Sequence, residues 1–282
     1  MKNLHDEIAD NVKKALAEDI GTGDLTALLI PEGKELSASV ISREEAVLCG
    51  MQWFEGCFLT LAPETKIDWF ARDGETVQAG QKLCEIKGQA RALLTAERSA
   101  LNFLQLLSAV ATQTKRFADA IAGTKAVTVD TRKTLPGLRL AQKYAVTCGG
   151  GVNHRFGLYD GILIKENHII AAGGIQSALM KAREIVPADV FIQIEVESLQ
   201  ELHEALNAGA TMVLLDNFTL DQLRDAVALA RQQAGERMIL EASGNVTLQT
   251  VRQIAETGVD RISVGSLTKD VKAVDLSMRF VK

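Results

Sequence analysis

The second half of the chain repeats a short apolar segment followed by an amphipathic one, and this repeat restricts the fold more than any other feature. Segments with the length and composition of buried β-strands span residues 126–130, 161–165, 190–196, 212–216, 238–244 and 261–265. Stretches with helical periodicity lie between them at residues 175–186, 198–209 and 220–233. Repeated β–α units form parallel strands joined by right-handed crossovers. The pattern therefore predicts an α/β barrel, in which six or seven strands can be recognised rather than a clear eight.

The first part of the chain has a different pattern. Residues 5–18 form a predicted amphipathic helix, because their apolar side chains recur at a spacing of four. Residues 36–88 alternate apolar and polar side chains around glycine turns, as short strands do. A long helix follows, with Thr95 as its predicted N-cap and Glu97 placed near its positive end. This change of pattern predicts two domains.

We place the two domains at residues 1–110 and 111–269, and we expect residues 270–282 to return to the first. A chain of 282 residues is long enough for both. The formal net charge of -5 argues against nucleic acid as the main partner. No apolar run approaches the ~18 residues of a membrane-spanning helix, and the charged N-terminus is unlike a signal peptide. We therefore expect a cytoplasmic protein without a membrane partner.

The cysteines support the same compartment. Cys49, Cys57, Cys84 and Cys148 show no CxxC spacing, which suggests neither a zinc site nor a disulfide framework. The sequence therefore predicts four reduced thiols.

A basic segment lies inside this acidic chain. Between residues 130 and 165 there are six Lys or Arg residues and two Asp residues, a local charge of 6 - 2 = +4. Two of these cations, Arg132 and Arg155, are suited to bind carboxylates through two parallel hydrogen bonds. Two others, Lys133 and Lys165, offer point charges for phosphate or a second carboxylate. His154 is either a donor or a titrating group.

The alternative is that these cations are solvated surface charges, and for Arg139 and Lys143 both interpretations stand equally. For Lys165 the alternative is weak, because this residue ends an apolar strand and has to face a polar centre. The basic segment is therefore expected to serve a small anion.

Polar residues also end the other predicted strands: Asp130, Glu195, Asp216, Ser243 and Ser266. In an α/β barrel the carboxyl ends of the strands meet at one face, where the active site lies. Glu195 and Asp216 are suited to hold Mg²⁺ beside the phosphates of a substrate. The alternative is that they form ion pairs with nearby Lys or Arg residues, and Glu197 is a candidate supporting residue on the same side as Glu195.

Two small-residue loops follow the last two strands, at residues 241–245 and 263–266. Barrels of this kind commonly bind phosphate there through backbone N–H groups. Residues 148–154 form a glycine-rich loop that is expected to close over substrate. Together these features predict a site for a phosphorylated, Mg²⁺-bound substrate beside one rich in carboxylates.

Longer motifs carry a family resemblance that covers nearly the whole chain. They are EDIGTGDLT, AERSALNFLQ, DTRKTLPGLR, KYAVTCGGGVNHRFGLYDGILIKENHI, IEVES, LLDNF, EASGNV and GVDRISVGSLT. With these motifs in this order, the chain resembles the quinolinate phosphoribosyltransferases. The resemblance implies an N-terminal α/β sandwich domain and an open parallel α/β barrel. It also implies a homodimer with shared active sites, and it leaves open whether dimers assemble into hexamers.

The resemblance also implies a reaction and its residues. Quinolinate and phosphoribosyl pyrophosphate would give nicotinate mononucleotide, pyrophosphate and CO₂ with Mg²⁺, in NAD biosynthesis. Arg98 resembles the residue contributed by the neighbouring subunit. The residues that the resemblance implies for quinolinate binding are Arg98, Arg132, His154, Arg155 and Lys165. The residues that it implies for binding phosphoribosyl pyrophosphate are Lys133, Glu195, Asp216, Ser243, Gly244 and Gly265. Of these, Glu195 and Asp216 are also implied to bind the metal. The catalytic roles would fall to Lys133, Lys165, Glu195 and Asp216.

The chain departs from the family pattern at two positions. Lys269 stands where many relatives have His. This position therefore keeps a positive charge but has no titratable imidazole ring. Glu166 stands where many have Asp, a change expected to matter little.

Three other functions stay open at this point. A Schiff-base aldolase would use Lys165 as its nucleophile, with Glu195 and Asp216 as acid–base partners. A related transferase would use another acceptor. A non-catalytic protein would only bind anions.

Overall fold

The structure, a computed structural model, describes residues 3–187 and 190–280. These residues group into two units, and each unit draws on more than one stretch of the chain. The first unit comprises Met1–Lys115, Thr134–Gly150 and Ser266–Lys282, and the second comprises Arg116–Lys133 and Gly151–Gly265. The domain boundaries expected at residues 110 and 269 stay a prediction.

The elements follow one another along the chain with two short 3₁₀ turns, at Ala27–Leu29 and Gly235–Arg237. Up to residue 120 the elements are α1 (Leu4–Ile20), β1 (Glu35–Ser42), β2 (Ala46–Val47), α2 (Met51–Leu61), β3 (Lys66–Trp69), β4 (Thr76–Val77), β5 (Lys82–Gln89) and α3 (Ala90–Ala120). The later elements are β6 (Val127–Val129), α4 (Arg139–Cys148), β7 (Ile162–Ile164), α5 (Glu166–Ala172), α6 (Ile175–Ile185), β8 (Ile192–Val196), α7 (Leu199–Asn207), β9 (Met212–Asp216), α8 (Leu220–Ala234), β10 (Ile239–Ser243), α9 (Val251–Ala255), β11 (Arg261–Ser263), α10 (Ser266–Lys269) and β12 (Leu276–Phe280).

The first unit contains a four-stranded sheet in the order β12-β1-β5-β3, in which every pairing is antiparallel. The C-terminal strand β12 pairs with β1. The helix α2 buries Trp53, Phe54 and Phe58 completely. The indole nitrogen of Trp53 donates to the side-chain oxygen of Asn11 in α1, at 3.0 Å, so that the polar atom of this core residue is satisfied.

The predicted start of the long helix was wrong. The helix α3 begins at Ala90, so Thr95 and Glu97 lie within it rather than in a cap and a first turn. The reason is tertiary: α3 follows β5 directly, and the N–H of Ala90 donates to the carbonyl oxygen of Lys34 at 2.7 Å. The hydroxyl of Thr95 instead contacts the carbonyl oxygen of Arg91, at 2.9 Å, and Oδ2 of Asp24, at 2.8 Å.

The second unit contains a six-stranded parallel sheet in the order β6-β11-β10-β9-β8-β7. All six strands predicted from the apolar segments are present, and the predicted helices between them are α6, α7 and α8. The strands β6 and β7 form the two edges, so the sheet does not close into a complete barrel, as predicted. Ser198 and Thr219 cap α7 and α8 through their side chains, which explains why these helices begin where the periodicity does.

Within the described part of the chain, each helix is too short or too polar to cross a membrane.

Candidate active site

A cavity of about 300 Å³ lies in the second unit. Its lining comes from strand ends and the segments that follow them: Asp130, Thr131, Arg132, Lys133, His154, Arg155, Leu163, Lys165, Glu195, Leu214, Glu241, Ser243 and Ser263. Seven of the residues predicted for the site are in this lining, namely Arg132, Lys133, His154, Arg155, Lys165, Glu195 and Ser243. The cavity is of a size to hold a small organic substrate.

The lysine and the glutamate at the ends of two neighbouring strands form an ion pair. Nζ of Lys165 lies 2.9 Å from Oε2 of Glu195, and the glutamate side chain is only 13% exposed. Lys165 follows β7 directly, and its backbone N–H donates to Nδ1 of His168 at 3.0 Å, which caps α5. His168 therefore has a structural role, and Glu195 forms an ion pair in this structure, while its predicted role in holding Mg²⁺ stays a prediction.

The arginine Arg155 is anchored beside a second arginine. Its Nη1 donates to the carbonyl oxygen of Gly161 at 2.9 Å. Burial, together with the positive charge of Arg132, lowers the pKa of Arg155, while Asp160 acts in the opposite direction. Since a guanidinium stays charged in proteins, the two arginines bring two positive charges to this part of the cavity, which suits an anion.

The ring of His154 is buried and held at both nitrogens. Nδ1 accepts the backbone N–H of Arg155 at 2.8 Å, and Nε2 lies 2.7 Å from Oε1 of Gln193. The backbone N–H of His154 donates to Oδ1 of Asp130 at 2.8 Å. A nitrogen that accepts a hydrogen bond carries no proton, so these contacts select the neutral ring with hydrogen on Nε2.

A buried carboxylate continues this network. Oε2 of Glu241 accepts from Nε2 of Gln193 at 3.2 Å, and Oε1 accepts from the hydroxyl of Ser263. Oε1 also lies 3.8 Å from Nε2 of His154, a distance that would favour a charged ring. We assign the neutral ring because the bond from the Arg155 N–H would be lost on protonation, and because Glu241 has Arg261 at 3.3 Å as its charge partner.

The two glycines predicted to bind phosphate are packed closely against neighbouring side chains. Gly244 has φ +110°, and a Cβ there would lie 2.3 Å from Oδ1 of Asn217. A Cβ on Gly265 would lie 3.2 Å from Cδ of Lys133, which brings this lysine against the end of the last strand. Neither glycine lines the cavity, but Gly244 follows Ser243, which does.

Several carboxylates gather near the ends of β8 and β9. The charge of Glu166 raises the pKa of the exposed Glu197, and Glu201, Asp216 and Glu195 add to the rise. Asp216 ends β9 and accepts from Nδ2 of Asn217 at 2.8 Å. Carboxylate oxygens are the ligands that hard divalent cations prefer, so the side chains of Glu195 and Asp216 have the chemistry to hold Mg²⁺.

Comparison with known proteins identifies the family. The family model "Quinolinate phosphoribosyl transferase, C-terminal domain" matches residues 110–279, and the corresponding N-terminal model matches residues 24–108. The chain belongs to the quinolinate phosphoribosyltransferase family.

Relatives in this family resemble the chain along almost its full length. A probable carboxylating nicotinate-nucleotide pyrophosphorylase of Bacillus subtilis is 41% identical, over 93% of this chain and 89% of its own. The enzyme of that name from Mycobacterium leprae is 40% identical over 97% of both chains. The solved nicotinate-nucleotide pyrophosphorylase of Francisella tularensis is 45% identical and superposes with a TM-score of 0.94, covering 99% of this chain and 98% of that one.

Besides the two glycines, Asp216 and three further residues of this quinolinate phosphoribosyltransferase family member lie outside the cavity lining. Arg98 is exposed on α3 in the first unit and lines another cavity, of about 370 Å³. Lys269 is exposed in the first unit, with Nζ 3.7 Å from Oδ2 of Asp270. Lys143 is fully buried in α4, so the interpretation of it as a solvated surface charge was wrong.

The sequence patterns did not predict that Gln193 and Glu241 form a buried network with His154. Gln193 lies inside a predicted apolar strand, whereas Glu241 lies in β10 rather than in the loop predicted at residues 241–245, and both are fully buried. The sequence does contain a signal of such a network, namely a charged or amide side chain within an otherwise apolar strand. A group of this kind needs a hydrogen-bond partner when it is buried.

Proposed function

We propose that this chain transfers the phosphoribosyl group of phosphoribosyl pyrophosphate to quinolinate and releases pyrophosphate and CO₂, forming nicotinate mononucleotide. The observation that carries the proposal is the set of four cations around one small cavity: Arg132, Lys133, Arg155 and Lys165. Two of the three carboxylates in the lining, Asp130 and Glu241, are fully buried and accept hydrogen bonds from the protein. Four cations around one small cavity are a suitable environment for anionic substrates.

Quinolinate is a planar pyridine dicarboxylate, and the paired arginines suit it. Arg132 and Arg155 would each form two parallel hydrogen bonds with a carboxylate, and Lys165 would add a point charge. His154 would act mainly by holding the backbone of Arg155, since its Nδ1 accepts that N–H. Binding the dicarboxylate this way would orient the ring nitrogen for attack.

The phosphoribosyl donor would occupy the side of the site formed by Lys133, Ser243, Gly244 and Gly265. The backbone at Gly244 can approach a phosphate closely because no side chain is tolerated there. Glu195 and Asp216 would hold Mg²⁺, which when bound neutralises charge on the pyrophosphate. Lys133, packed against Gly265, would place its ammonium group near the leaving group.

The main task of these residues is to keep two polyanions in contact. At about 4 Å, two like unit charges repel by about 4 kcal/mol at an effective dielectric constant of about 20. The quinolinate nitrogen attacks C1 of the ribose as pyrophosphate leaves, and the new pyridinium nitrogen is cationic. That positive charge stabilises the carbanion formed as the adjacent carboxylate leaves as CO₂. The carbanion then takes a proton from water to give nicotinate mononucleotide, so the protein needs no general base for the loss of CO₂.

An aldolase is a weaker alternative for this site. A lysine that forms a Schiff base is activated by desolvation or by a neighbouring cation. Lys165 is instead half exposed and paired with the carboxylate of Glu195. This ion pair supports an electrostatic role rather than a nucleophilic one.

We also propose a homodimer and a cytoplasmic location. Arg98 is exposed in the first unit, where it is available to a neighbouring copy of the chain. The four cysteines are all free thiols, as in proteins of a reducing compartment.

The decisive assay combines quinolinate, phosphoribosyl pyrophosphate and Mg²⁺ and follows CO₂ and the mononucleotide together. We expect equal amounts of both. Nicotinate replaces quinolinate in a parallel reaction, and turnover of nicotinate without CO₂ from quinolinate would instead identify a related transferase. Trapping of Lys165 by borohydride with a carbonyl substrate would identify an aldolase.

A further inference from the structure

A second cluster of chemically reactive side chains lies in the first unit, outside the cavity. It consists of Cys49, which precedes α2, Asp73, which lies between β3 and β4, and Cys148, which ends α4. One ligand atom of each, the two Sγ atoms and a carboxylate oxygen, lie within 4.8 Å of one another. We call these three residues the thiol–carboxylate cluster.

We propose that the thiol–carboxylate cluster binds a thiophilic divalent cation, with Zn²⁺ as the ion it fits best. Zn–S and Zn–O bonds of about 2.3 and 2.1 Å place tetrahedral ligands roughly 3.5–3.8 Å apart. The three atoms thus need only a small contraction to reach this spacing. Two thiolates select a soft or borderline ion over the hard ions that carboxylates alone would prefer.

The carboxylate of this cluster is already oriented by its neighbours. Oδ1 of Asp73 accepts the backbone N–H groups of Gly50, at 3.0 Å, and Met51, at 3.3 Å. Oδ2 accepts the hydroxyl of Tyr144 at 2.9 Å, which leaves that oxygen a further lone pair. Hydrogen bonds of this kind hold a ligating carboxylate in place and are typical of metal sites.

The electrostatics of the cluster favour a cation. Burial raises the pKa of Cys49 well above its usual value, and the hydrogen bond with Cys148 and the charge of Asp73 add to the rise. Burial also raises the pKa of Asp73. The hydrogen bond from Cys49 lowers the pKa of Cys148, the more accessible thiol. A bound divalent ion would compensate the negative charge that these groups carry when deprotonated.

The site would be structural rather than catalytic. It would join the start of α2 to the end of α4. The next residue, Gly149, is packed so tightly that a Cβ there would lie 2.3 Å from the carbonyl oxygen of Ala111. The Tyr144 hydroxyl, which already contacts Asp73, would complete four protein ligands, as in structural sites. The two cysteines are far apart in sequence, so spacing alone gave no sign of the site.

The test is titration of the reduced, chelator-treated full-length protein with Zn²⁺ or Cd²⁺. We expect one ion per chain by elemental analysis, a Cd–thiolate absorption band in the ultraviolet, and a higher Tm with Zn²⁺. The band distinguishes this site from the carboxylates Glu195 and Asp216, because only thiolates produce it. The experiment is independent of the transferase assay, since it does not measure turnover.

The four cysteines supply matched variants. Cys148→Ser, at the partly exposed position, and Cys49→Ser should each lose the band and the stoichiometric ion. Cys57→Ser and Cys84→Ser, at buried positions outside the cluster, should keep both. Asp73→Asn should bind more weakly. Absence of the band in the wild-type protein, or its persistence in folded Cys148→Ser, would overturn the proposal, as would a Cys49–Cys148 disulfide that forms in reductant and excludes the ion.

Discussion

The Nε2 atom of His154 lies 2.7 Å from Oε1 of Gln193, and this contact links the cavity to the interior of the parallel sheet. Gln193 in turn donates to Glu241, and both of these residues are fully buried. The histidine is thereby held as a neutral ring whose Nδ1 positions the backbone of Arg155. The network thus connects three strands of the sheet to an arginine proposed to bind substrate.

We first predict the effect of removing the amide from this network. Gln193→Leu removes one buried hydrogen-bond partner from His154 and one from Glu241, which should lower the free energy of unfolding by about 1–3 kcal/mol. It should also raise the KM for quinolinate more than that for phosphoribosyl pyrophosphate, because Arg155 loses its support. Denaturant unfolding and steady-state kinetics measure both effects. An unchanged stability would show that the network is not needed.

The second prediction concerns the paired arginines. Arg132→Ala or Arg155→Ala should raise the KM for quinolinate about 10- to 100-fold, since each removes charged hydrogen bonds of about 1.5–3 kcal/mol. The KM for phosphoribosyl pyrophosphate should change far less. Arg224→Ala, at an exposed arginine of α8, is the control and should be neutral. Equal effects on both substrates would refute the assignment of these arginines to quinolinate.

The third prediction compares two glycines of the second unit. Gly244→Ala combines an unfavourable φ with a Cβ that would lie 2.3 Å from Oδ1 of Asn217. Gly123→Ala has a similar positive φ and no atom within 4 Å, so it incurs backbone strain alone, about 1 kcal/mol. Gly244→Ala should therefore be the less stable, and it should weaken binding of phosphoribosyl pyrophosphate. Thermal unfolding and a donor titration test this, and equal Tm values would contradict it.

The fourth prediction is a dependence of stability on pH. Burial alone would raise the pKa of Asp260, but hydrogen bonds from Arg231, the Leu240 N–H and Lys125 outweigh it and lower the pKa. A lowered folded-state pKa stabilises the protein above the unfolded-state pKa of about 3.9, and this contribution is lost as the pH falls through the folded-state value. Asp260→Asn should thus cost about 1–3 kcal/mol at pH near 7 and much less in acid.

The control for this pH dependence is Asp221→Asn, whose carboxylate is 91% exposed and should matter little. Urea unfolding of both variants and the wild-type protein near pH 7 and near pH 3 provides the comparison. A loss of stability in Asp260→Asn that is the same at both pH values would contradict the ionic explanation.

The fifth prediction tests whether active sites are shared between protomers. At a quinolinate concentration well below the raised KM, Arg98→Ala and Arg132→Ala should each be only weakly active. Mixing the two and allowing subunits to exchange should restore about a quarter of the wild-type activity, because half of the dimers are mixed and each has one intact site. Sedimentation of the active species provides a second measurement. An active monomer, or mixing without recovery, would exclude the role proposed for Arg98.

Local patterns were enough to predict the six parallel strands and the helices α6, α7 and α8. These patterns depend only on residues that are close together in the sequence, as with the strand lengths and with Ser198 and Thr219, which cap α7 and α8. The same reasoning gave the wrong start for α3. That helix begins at Ala90 because β5 leads directly into it and Lys34 accepts its first N–H, and neither contact is visible in a local pattern.

The sequence by itself determined the family, the open parallel sheet and the cations that line the cavity, because these follow from local periodicity and contiguous motifs. Only the tertiary structure decided which groups those residues meet. It paired Lys165 with Glu195, held the His154 ring in its neutral form, buried Lys143, and brought Cys49 and Cys148 to Asp73. These contacts join residues distant in the chain, and protonation and ion binding depend on the burial and charge that such contacts create.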